Sequence, residues 1–296
     1  MPFLELHLSL DGLDPEAVER ACFATGALSV TLADAGEAPI FEPAPGATPL
    51  WPNVRLAALY AAATDATALE AALGAALGRE RLPLSFGMLA DRIWEREWLK
   101  DFHPMQFGTR LWICPGGQSP PATESAGATV VVALDPGLAF GSGTHPTTAL
   151  CLGWLDGVEL AGKRVLDVGC GSGVLAIAAL ALGAESALAV DIDPQALLAT
   201  RENAARNRVE ARLRVQPATA DWGGDYDVLL ANILAEPLIE LAPRFARALR
   251  PGGQLLLSGV LPSQAAGVAG ACAAWFDMSP PLEREGWSGL SGRRRS

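Results

Sequence analysis

A glycine-rich turn constrains this chain more than any other feature of its sequence. The segment Asp167-Val-Gly-Cys-Gly-Ser-Gly173 follows the apolar run Arg164–Val168 and precedes the apolar, helix-forming run Val174–Leu182. Glycines at such a place allow a tight turn and let a nucleotide approach the backbone. Asp191 ends the next apolar run, 22 residues after Gly169, where an acid accepts hydrogen bonds from both ribose hydroxyls. Together these features predict a nucleoside-binding α/β domain.

The turn by itself leaves the nucleotide open. Gly171-x-Gly173-x-x-Ala176 is close to the fingerprint of dinucleotide-binding domains, so an NAD-dependent oxidoreductase is one interpretation. Two observations favour S-adenosylmethionine instead. Asp167 is expected at the strand end near the ligand, where a carboxylate attracts a cationic ligand and repels a pyrophosphate. His145 is the only histidine nearby, and no group of residues suited to hydride transfer is visible.

A loop rich in glycine and hydroxyl side chains precedes another predicted helix. It reads Asp135-Pro-Gly-Leu-Ala-Phe-Gly-Ser-Gly-Thr-His-Pro-Thr-Thr148, and Pro146 suits the first turn of a helix. The N–H groups at that helix start, with the hydroxyls of Thr144, Thr147 and Thr148, can bind an anionic group such as the carboxylate of the cofactor's methionine part. The alternative is that a threonine or His145 only caps the helix.

An asparagine ends a third predicted strand. The run Tyr226-Asp-Val-Leu-Leu-Ala-Asn232 is apolar up to its last residue. A buried amide is costly unless it is hydrogen-bonded, and ligand crevices in open α/β sheets lie at the carboxyl ends of strands. We therefore predict that Asn232 holds the cofactor or the methyl acceptor, and it is our candidate catalytic residue. The alternative is a turn-forming asparagine. No general base can be named.

The first 88 residues follow a different pattern. The order β-α-β-β-α-β predicts a small ferredoxin-like α/β domain. Residues 89–127, which include the charged and aromatic run Asp91–Phe102, are predicted to form a linker helix and connecting segment. Residues 128–296, with alternating apolar strands and helices, are predicted to form a catalytic domain with a parallel sheet. The final Arg293-Arg-Arg-Ser296 is predicted to be a frayed tail. In the first domain we predict strands over 4–10, 27–33, 54–62 and 82–86, and helices over 15–25 and 67–77.

Charge and cysteine usage exclude several classes of protein. The chain of 296 residues carries a formal net charge of −11, and its first 90 residues hold 11 acids against 4 arginines. That balance argues against a nucleic-acid partner and fits either a basic protein partner or mere solubility. The five cysteines include no C-x-x-C pair, so buried thiols are expected rather than disulfides or zinc. Neither a signal peptide nor a membrane span is expected.

Three segments together resemble one known family. Leu134–Thr148, the Asp167–Gly173 turn and Ala231-Asn-Ile-Leu-Ala235 are similar to segments of the bacterial ribosomal protein L11 methyltransferases. The chain length, the small first domain and the run Trp94-Glu-Arg-Glu-Trp-Leu-Lys-Asp-Phe-His-Pro104 also resemble that family. The glycine turn alone would be generic, whereas the loop paired with Asn-Ile-Leu-Ala is far more specific. Ser142 stands where threonine is common in the family, which is a small departure.

The resemblance implies a Rossmann-like class I methyltransferase domain that uses S-adenosylmethionine. It implies N-methylation of lysine ε-amines, and of the N-terminal α-amine, on the ribosomal protein at the base of the large-subunit stalk. It also implies that the first domain recognises this substrate across a flexible linker. Cofactor contacts are implied at Thr148, Gly169, Asp191 and Asn232, to which we add Gly171 from the turn. We expect a cytoplasmic monomer with no metal, no direct nucleic-acid partner and no membrane contact.

Three other functions stay open at this point. One is a methyltransferase of the same domain type that acts on RNA or a small molecule, although the acidic first domain weighs against RNA. Another is the NAD-dependent oxidoreductase. The third is a module that binds the cofactor as a sensor and transfers nothing.

Overall fold

The structure, a computed structural model, describes residues 2–10, 12–36, 51, 53–89, 103–116, 118–121, 129–134 and 145–296. Contacts divide the chain into two compact units, Met1–Glu97 and Trp98–Ser296. The predicted linker helix over Asp91–Phe102 lies outside the described residues. The finer division at residues 88 and 128 therefore stays a prediction.

The first unit has the predicted ferredoxin-like arrangement. Its sheet has the order β2-β3-β1-β4 with every pair antiparallel. Alternate leucines of the first strand are buried in a core with both helices, as a half-buried strand requires. Asp14 is the N-cap of the first helix, and Asp65 is the N-cap of the second. The elements are β1 (Phe3–Ser9), α1 (Pro15–Ala24), β2 (Ser29–Asp34), β3 (Val54–Ala61), α2 (Ala66–Leu77) and β4 (Leu84–Leu89).

The second unit begins with a small three-stranded sheet and continues into a large one. The small sheet has the order β5-β6-β7. The elements are β5 (Met105–Phe107), β6 (Leu111–Pro115), β7 (Val130–Leu134), α3 (Pro146–Asp156), β8 (Arg164–Val168), α4 (Val174–Ala181), β9 (Ser186–Asp191), α5 (Pro194–Arg206), a 3₁₀ turn (Glu210–Arg212), β10 (Leu213–Pro217), β11 (Tyr226–Asn232), α6 (Ala235–Ala248), β12 (Leu249–Val260), α7 (Pro262–Cys272), β13 (Phe276–Met278), β14 (Leu282–Arg284) and β15 (Trp287–Arg294).

The large sheet is parallel at its centre and reverses its strand order beside β8. Its order is β10-β9-β8-β11-β12-β15-β13, with β14 paired to β15. The strands from β10 to β12 are parallel, and β15 is antiparallel to its neighbours. Separate buried clusters cover the two faces, one with α3, α4 and α5 and the other with α6 and α7. The predicted Rossmann-like fold is confirmed. Its switch point lies at β8, which has β9 on one side and β11 on the other.

Three parts of this unit differ from the sequence-based expectations. The short strands β5 and β14 span three residues each, too few to produce an alternating pattern. Pro251–Gly253, a proline-glycine run whose composition favours a turn, lies within β12, where the pairing with β11 changes register. The predicted frayed tail is wrong for its first two residues, since Arg293 and Arg294 belong to β15. Arg294 Nε donates to the carbonyl of Ala246, 3.0 Å away.

All five cysteines are free and buried, which confirms the expectation of buried thiols. They are Cys22 in the first unit and Cys114, Cys151, Cys170 and Cys272 in the second. Burial raises the pKa of each thiol, because it disfavours the charged thiolate. None of the helices in the described ranges is long and apolar enough to cross a membrane.

Asp156, at the end of α3, joins that helix to the turn between β5 and β6. Its side chain is only 3% exposed and lies 3.3 Å from Arg110 Nε. It accepts hydrogen bonds from the backbone N–H and the hydroxyl of Thr109, at 2.6 and 3.0 Å. Removal of this buried carboxylate deletes hydrogen bonds to a charged group, which contribute more to stability than bonds between neutral groups.

We expect Asp156→Ala to lower the free energy of unfolding by about 2–3 kcal/mol, measured by urea denaturation. The matched control is Asp277→Ala. Asp277 also pairs with an arginine, Arg295, but its side chain is 72% exposed, so a loss below about 1 kcal/mol is expected. Equal losses in the two variants would contradict the assigned role of Asp156.

Candidate cofactor and methyl-acceptor site

The glycine turn leaves β8 and enters α4 at the switch point of the sheet. Gly169, Gly171 and Gly173 have φ angles of 75°, 53° and 80°, a region that side chains disfavour. The N–H groups of Gly169 and Cys170 both donate to the carbonyl of Val190, at 2.8 and 3.1 Å. A Cβ atom at Gly169 would collide with the side chain of Ile233. The backbone therefore passes through a space that only glycine fits.

Asp191 lies beside this turn at the carboxyl end of β9. One carboxylate oxygen accepts the N–H of Gly171 at 2.9 Å, and the other accepts the N–H of Asp193 at 3.0 Å. Each oxygen keeps a further lone pair, because a carboxylate offers about four acceptor positions. The half-buried Asp191 is therefore oriented by the backbone and still able to accept two hydroxyl groups.

Thr148 and Asn232 meet on the other side of β8. Thr148 is buried in the first turn of α3, and Asn232 ends β11. Asn232 Nδ2 donates to Thr148 Oγ1 across 3.3 Å. The structure thus brings together two residues that are 84 positions apart in the chain, and the asparagine amide has the hydrogen bond that its position requires.

His145 is the N-cap of α3, which matches the capping alternative for this residue. Its ring nitrogen Nδ1 accepts the N–H of Thr147 at 3.4 Å and lies 2.7 Å from the Thr147 hydroxyl. The ring also meets the edge of Trp287, with 5.0 Å between ring centroids. Residues 135–144, including Thr144, lie outside the described part of the chain.

Ser258 ties the helix start to the end of β11. Its hydroxyl lies 3.3 Å from each of two carbonyl acceptors, those of Thr147 and Ser288. Its own carbonyl accepts the N–H of Ile233 at 3.1 Å. These bonds fix the chain immediately after Asn232, so the position of the amide depends on β12 as well as on β11.

Asp167 lies at the end of β8 as expected, but its carboxylate is buried instead of exposed. Its side chain is 0% exposed, and one oxygen accepts the N–H of Ala176 in the first turn of α4 at 3.1 Å. Burial, with a smaller contribution from the charge of Asp191, raises its pKa from 3.8 to about 7. The other oxygen is buried and has no hydrogen-bond partner among the residues that the structure describes. Asp167 thus supports the start of α4 from within the buried interior.

Two further residues of the site were missed by sequence reasoning. Thr200 and Asn203 lie on one face of α5 and are 0% and 1% exposed. They donate to the carbonyls of Gly171 and Ser172, each across 3.0 Å. The signal was a pair of polar residues three positions apart, which meet on the same face of a helix. Within the described ranges, no group of three or more histidine, cysteine or acidic residues is arranged to hold a metal ion.

Comparisons with known proteins identify the family. The family model described as "Ribosomal protein L11 methyltransferase (PrmA)" matches residues 2–295. The chain belongs to this family. A ribosomal protein L11 methyltransferase of Pseudomonas paraeruginosa is 53% identical over 297 residues, covering 100% of both chains. One from Methylococcus capsulatus is 51% identical over 294 residues and covers 99% of each. The crystal structure of ribosomal protein L11 methylase from Lactobacillus delbrueckii subsp. bulgaricus has a TM-score of 0.59 and 35% identity, over 66% of this chain and 100% of that one.

Membership of the ribosomal protein L11 methyltransferase family decides among the alternatives left open by the sequence. The chain is a methyltransferase that depends on S-adenosylmethionine and acts on a protein. The NAD-dependent oxidoreductase and the cofactor sensor are thereby set aside. The resemblance noted in the sequence is confirmed over essentially the whole chain.

The buried Asp167 predicts a pH dependence of stability in this methyltransferase. Because its pKa rises from 3.8 to about 7 on folding, the folded state holds a proton in that window that the unfolded chain has lost. Stability attributable to this group therefore falls as the pH rises from about 4 to about 7. Asp167→Asn removes the titration, so Tm should improve relative to wild type as the pH rises from about 5 to about 8. A Tm difference that is constant with pH would contradict this assignment.

Proposed function

We propose that this chain transfers methyl groups from S-adenosylmethionine to amines of ribosomal protein L11, both lysine ε-amines and the N-terminal α-amine. The observation that carries the proposal is the hydrogen bond between Asn232 and Thr148 beside the glycine turn. It places a fixed amide at the carboxyl ends of β8 and β11, where open α/β sheets bind their ligands. The family match supports the choice of substrate.

The cofactor would be held by groups on both sides of β8. Asp191 has the free lone pairs to accept the ribose hydroxyls. Gly169 and Gly171 allow close approach of the nucleoside to the backbone. The start of α3 offers N–H groups and the Thr148 hydroxyl to the methionine carboxylate. When bound, S-adenosylmethionine supplies a methyl group on a positively charged sulfur, which an amine lone pair can attack in line.

The amine must lose its proton before it can react. A lysine is mostly protonated at pH 7, and removal from water into the crevice lowers its pKa. Asn232 uses its Nδ2 group to donate to Thr148, so its carbonyl oxygen is left to accept an N–H of the neutral amine. That bond would direct the nitrogen lone pair at the methyl group, and positioning would supply most of the catalysis.

Recognition of the substrate is proposed to rest on the first unit. Its acidic excess, 11 acids against 4 arginines in the first 90 residues, suits a basic protein surface better than RNA. We propose that the enzyme acts as a monomer in the cytoplasm, on the protein itself, without direct contact to nucleic acid or membrane.

The substrate is tested with labelled S-adenosylmethionine and the separated ribosomal proteins and ribosomal RNA of cells that lack this methylation. We expect label on ribosomal protein L11, and mass spectrometry of its peptides should place the added methyl groups on lysines and the α-amine. Label confined to RNA would refute the proposal. Labelled L11 with the methyl groups on other side chains would refute the assignment of amines only.

Replacement of Asn232 tests the catalytic role. We expect Asn232→Ala to lower kcat about 100-fold, because the amine is no longer held in line, while the Kd for S-adenosylmethionine rises less than about tenfold. The matched control is Asn207→Ala. Within the described ranges, the Asn207 amide bonds with backbone atoms of Ala133 and Asn203 alone, so kcat at saturating cofactor should stay unchanged. An unchanged methylation rate in Asn232→Ala would exclude the role.

A further inference from the structure

Helix α5 holds the glycine turn through side chains that face its backbone. Thr200 Oγ1 donates to the carbonyl of Gly171, and Asn203 Nδ2 donates to the carbonyl of Ser172. Both distances are 3.0 Å, and both side chains are almost wholly buried. Arg206 Nη1 donates to Asn203 Oδ1 at 2.6 Å, which orients the asparagine so that its NH₂ group faces the turn.

The Gly171 peptide units are held from opposite sides. The N–H of Gly171 donates to Asp191 at 2.9 Å, while its carbonyl accepts from Thr200. The Thr200 methyl group also fills the space beside Gly173, where a Cβ atom would lie 2.7 Å from Thr200 Cγ2. A turn of glycines has many conformations of similar energy, so these contacts select one of them.

We propose that Thr200 and Asn203 are positioning residues for cofactor binding. They hold the Gly171 and Ser172 carbonyls, so the turn has its binding conformation before S-adenosylmethionine arrives. Neither side chain faces the crevice, and each acts through the backbone that it holds. The inference rests on the proposed function, which places the cofactor at this turn. Because preorganisation lowers the ordering cost of binding, cofactor affinity should depend on these residues and the transfer step should not.

The test compares Thr200→Val and Asn203→Leu with wild type in the full-length enzyme. Thr200→Val keeps the shape and the methyl contact with Gly173 and removes only the hydroxyl. We expect each variant to raise the Kd for S-adenosylmethionine about tenfold by calorimetry, with kcat at saturating cofactor within about twofold of wild type. Thr200→Ser, which restores the hydroxyl, should return the Kd to within about threefold.

A destabilised control separates positioning from general loss of stability. Val268 is fully buried in α7, which packs on α6, β13 and β15, so Val268→Ala lowers stability without touching the turn. We expect its Kd for S-adenosylmethionine to match wild type. The inference is overturned if Val268→Ala weakens binding as much as Thr200→Val, or if Thr200→Ser fails to restore affinity. If Thr200→Val does not fold, the Kd of Asn203→Leu is compared with those of Val268→Ala and wild type. The inference is then overturned if Asn203→Leu binds S-adenosylmethionine no more weakly than Val268→Ala.

Asp191→Ala distinguishes failure of this inference from failure of the proposed site. If Asp191→Ala weakens S-adenosylmethionine binding while Thr200→Val and Asn203→Leu leave the Kd within about twofold, the positioning role is wrong and the site stands. If all three variants bind the cofactor like wild type, the cofactor does not occupy this turn and both proposals fail.

Discussion

The parallel pairing of β8 with β9 on one side and β11 on the other is the constraint on which the site depends. Parallel strands bring their carboxyl ends to one edge, and the reversal of strand order at β8 opens a crevice there. The glycine turn, Asp191 and Asn232 each follow or end one of these three strands. They therefore lie close together although many residues separate them in the chain. The strand pairing that brings them together consists of backbone hydrogen bonds and uses no side chain of the site.

Helices hold the polar groups that the sheet brings together. On the β9 side, α5 fixes the carbonyls of the glycine turn, and the buried Asp167 caps the first turn of α4. On the β11 side, the start of α3 supplies Thr148 to the Asn232 amide. The two halves are thus supported by different helices, so substitutions on α5 and on α3 disturb different parts of the site.

The sequence predicted the features that local patterns determine. Short stretches of sequence were enough to predict the glycine turn, the strand-ending Asp191 and Asn232, and the β-α-β-β-α-β order of the first unit. The orientation of Asp167 could not be predicted, since the alternating faces of β8 do not say whether a carboxylate at its end is exposed or buried. Thr200 was missed because a polar residue on α5 does not by itself show that its hydroxyl donates to the carbonyl of Gly171. Arg294 was predicted to lie in the tail because the local sequence does not show that β15 pairs with β12 and β13.

The distribution of buried thiols has a consequence for chemical labelling. With each thiol buried and its pKa raised, an alkylating reagent reacts only when the surrounding structure opens, and the rate then reports local unfolding. Cys22 would report the opening of the first unit, and Cys170, within the glycine turn, that of the nucleoside-binding segment. The native chain thus carries its own site-resolved probes of opening, and a ligand that closes the turn should protect Cys170 while leaving Cys22 unaffected.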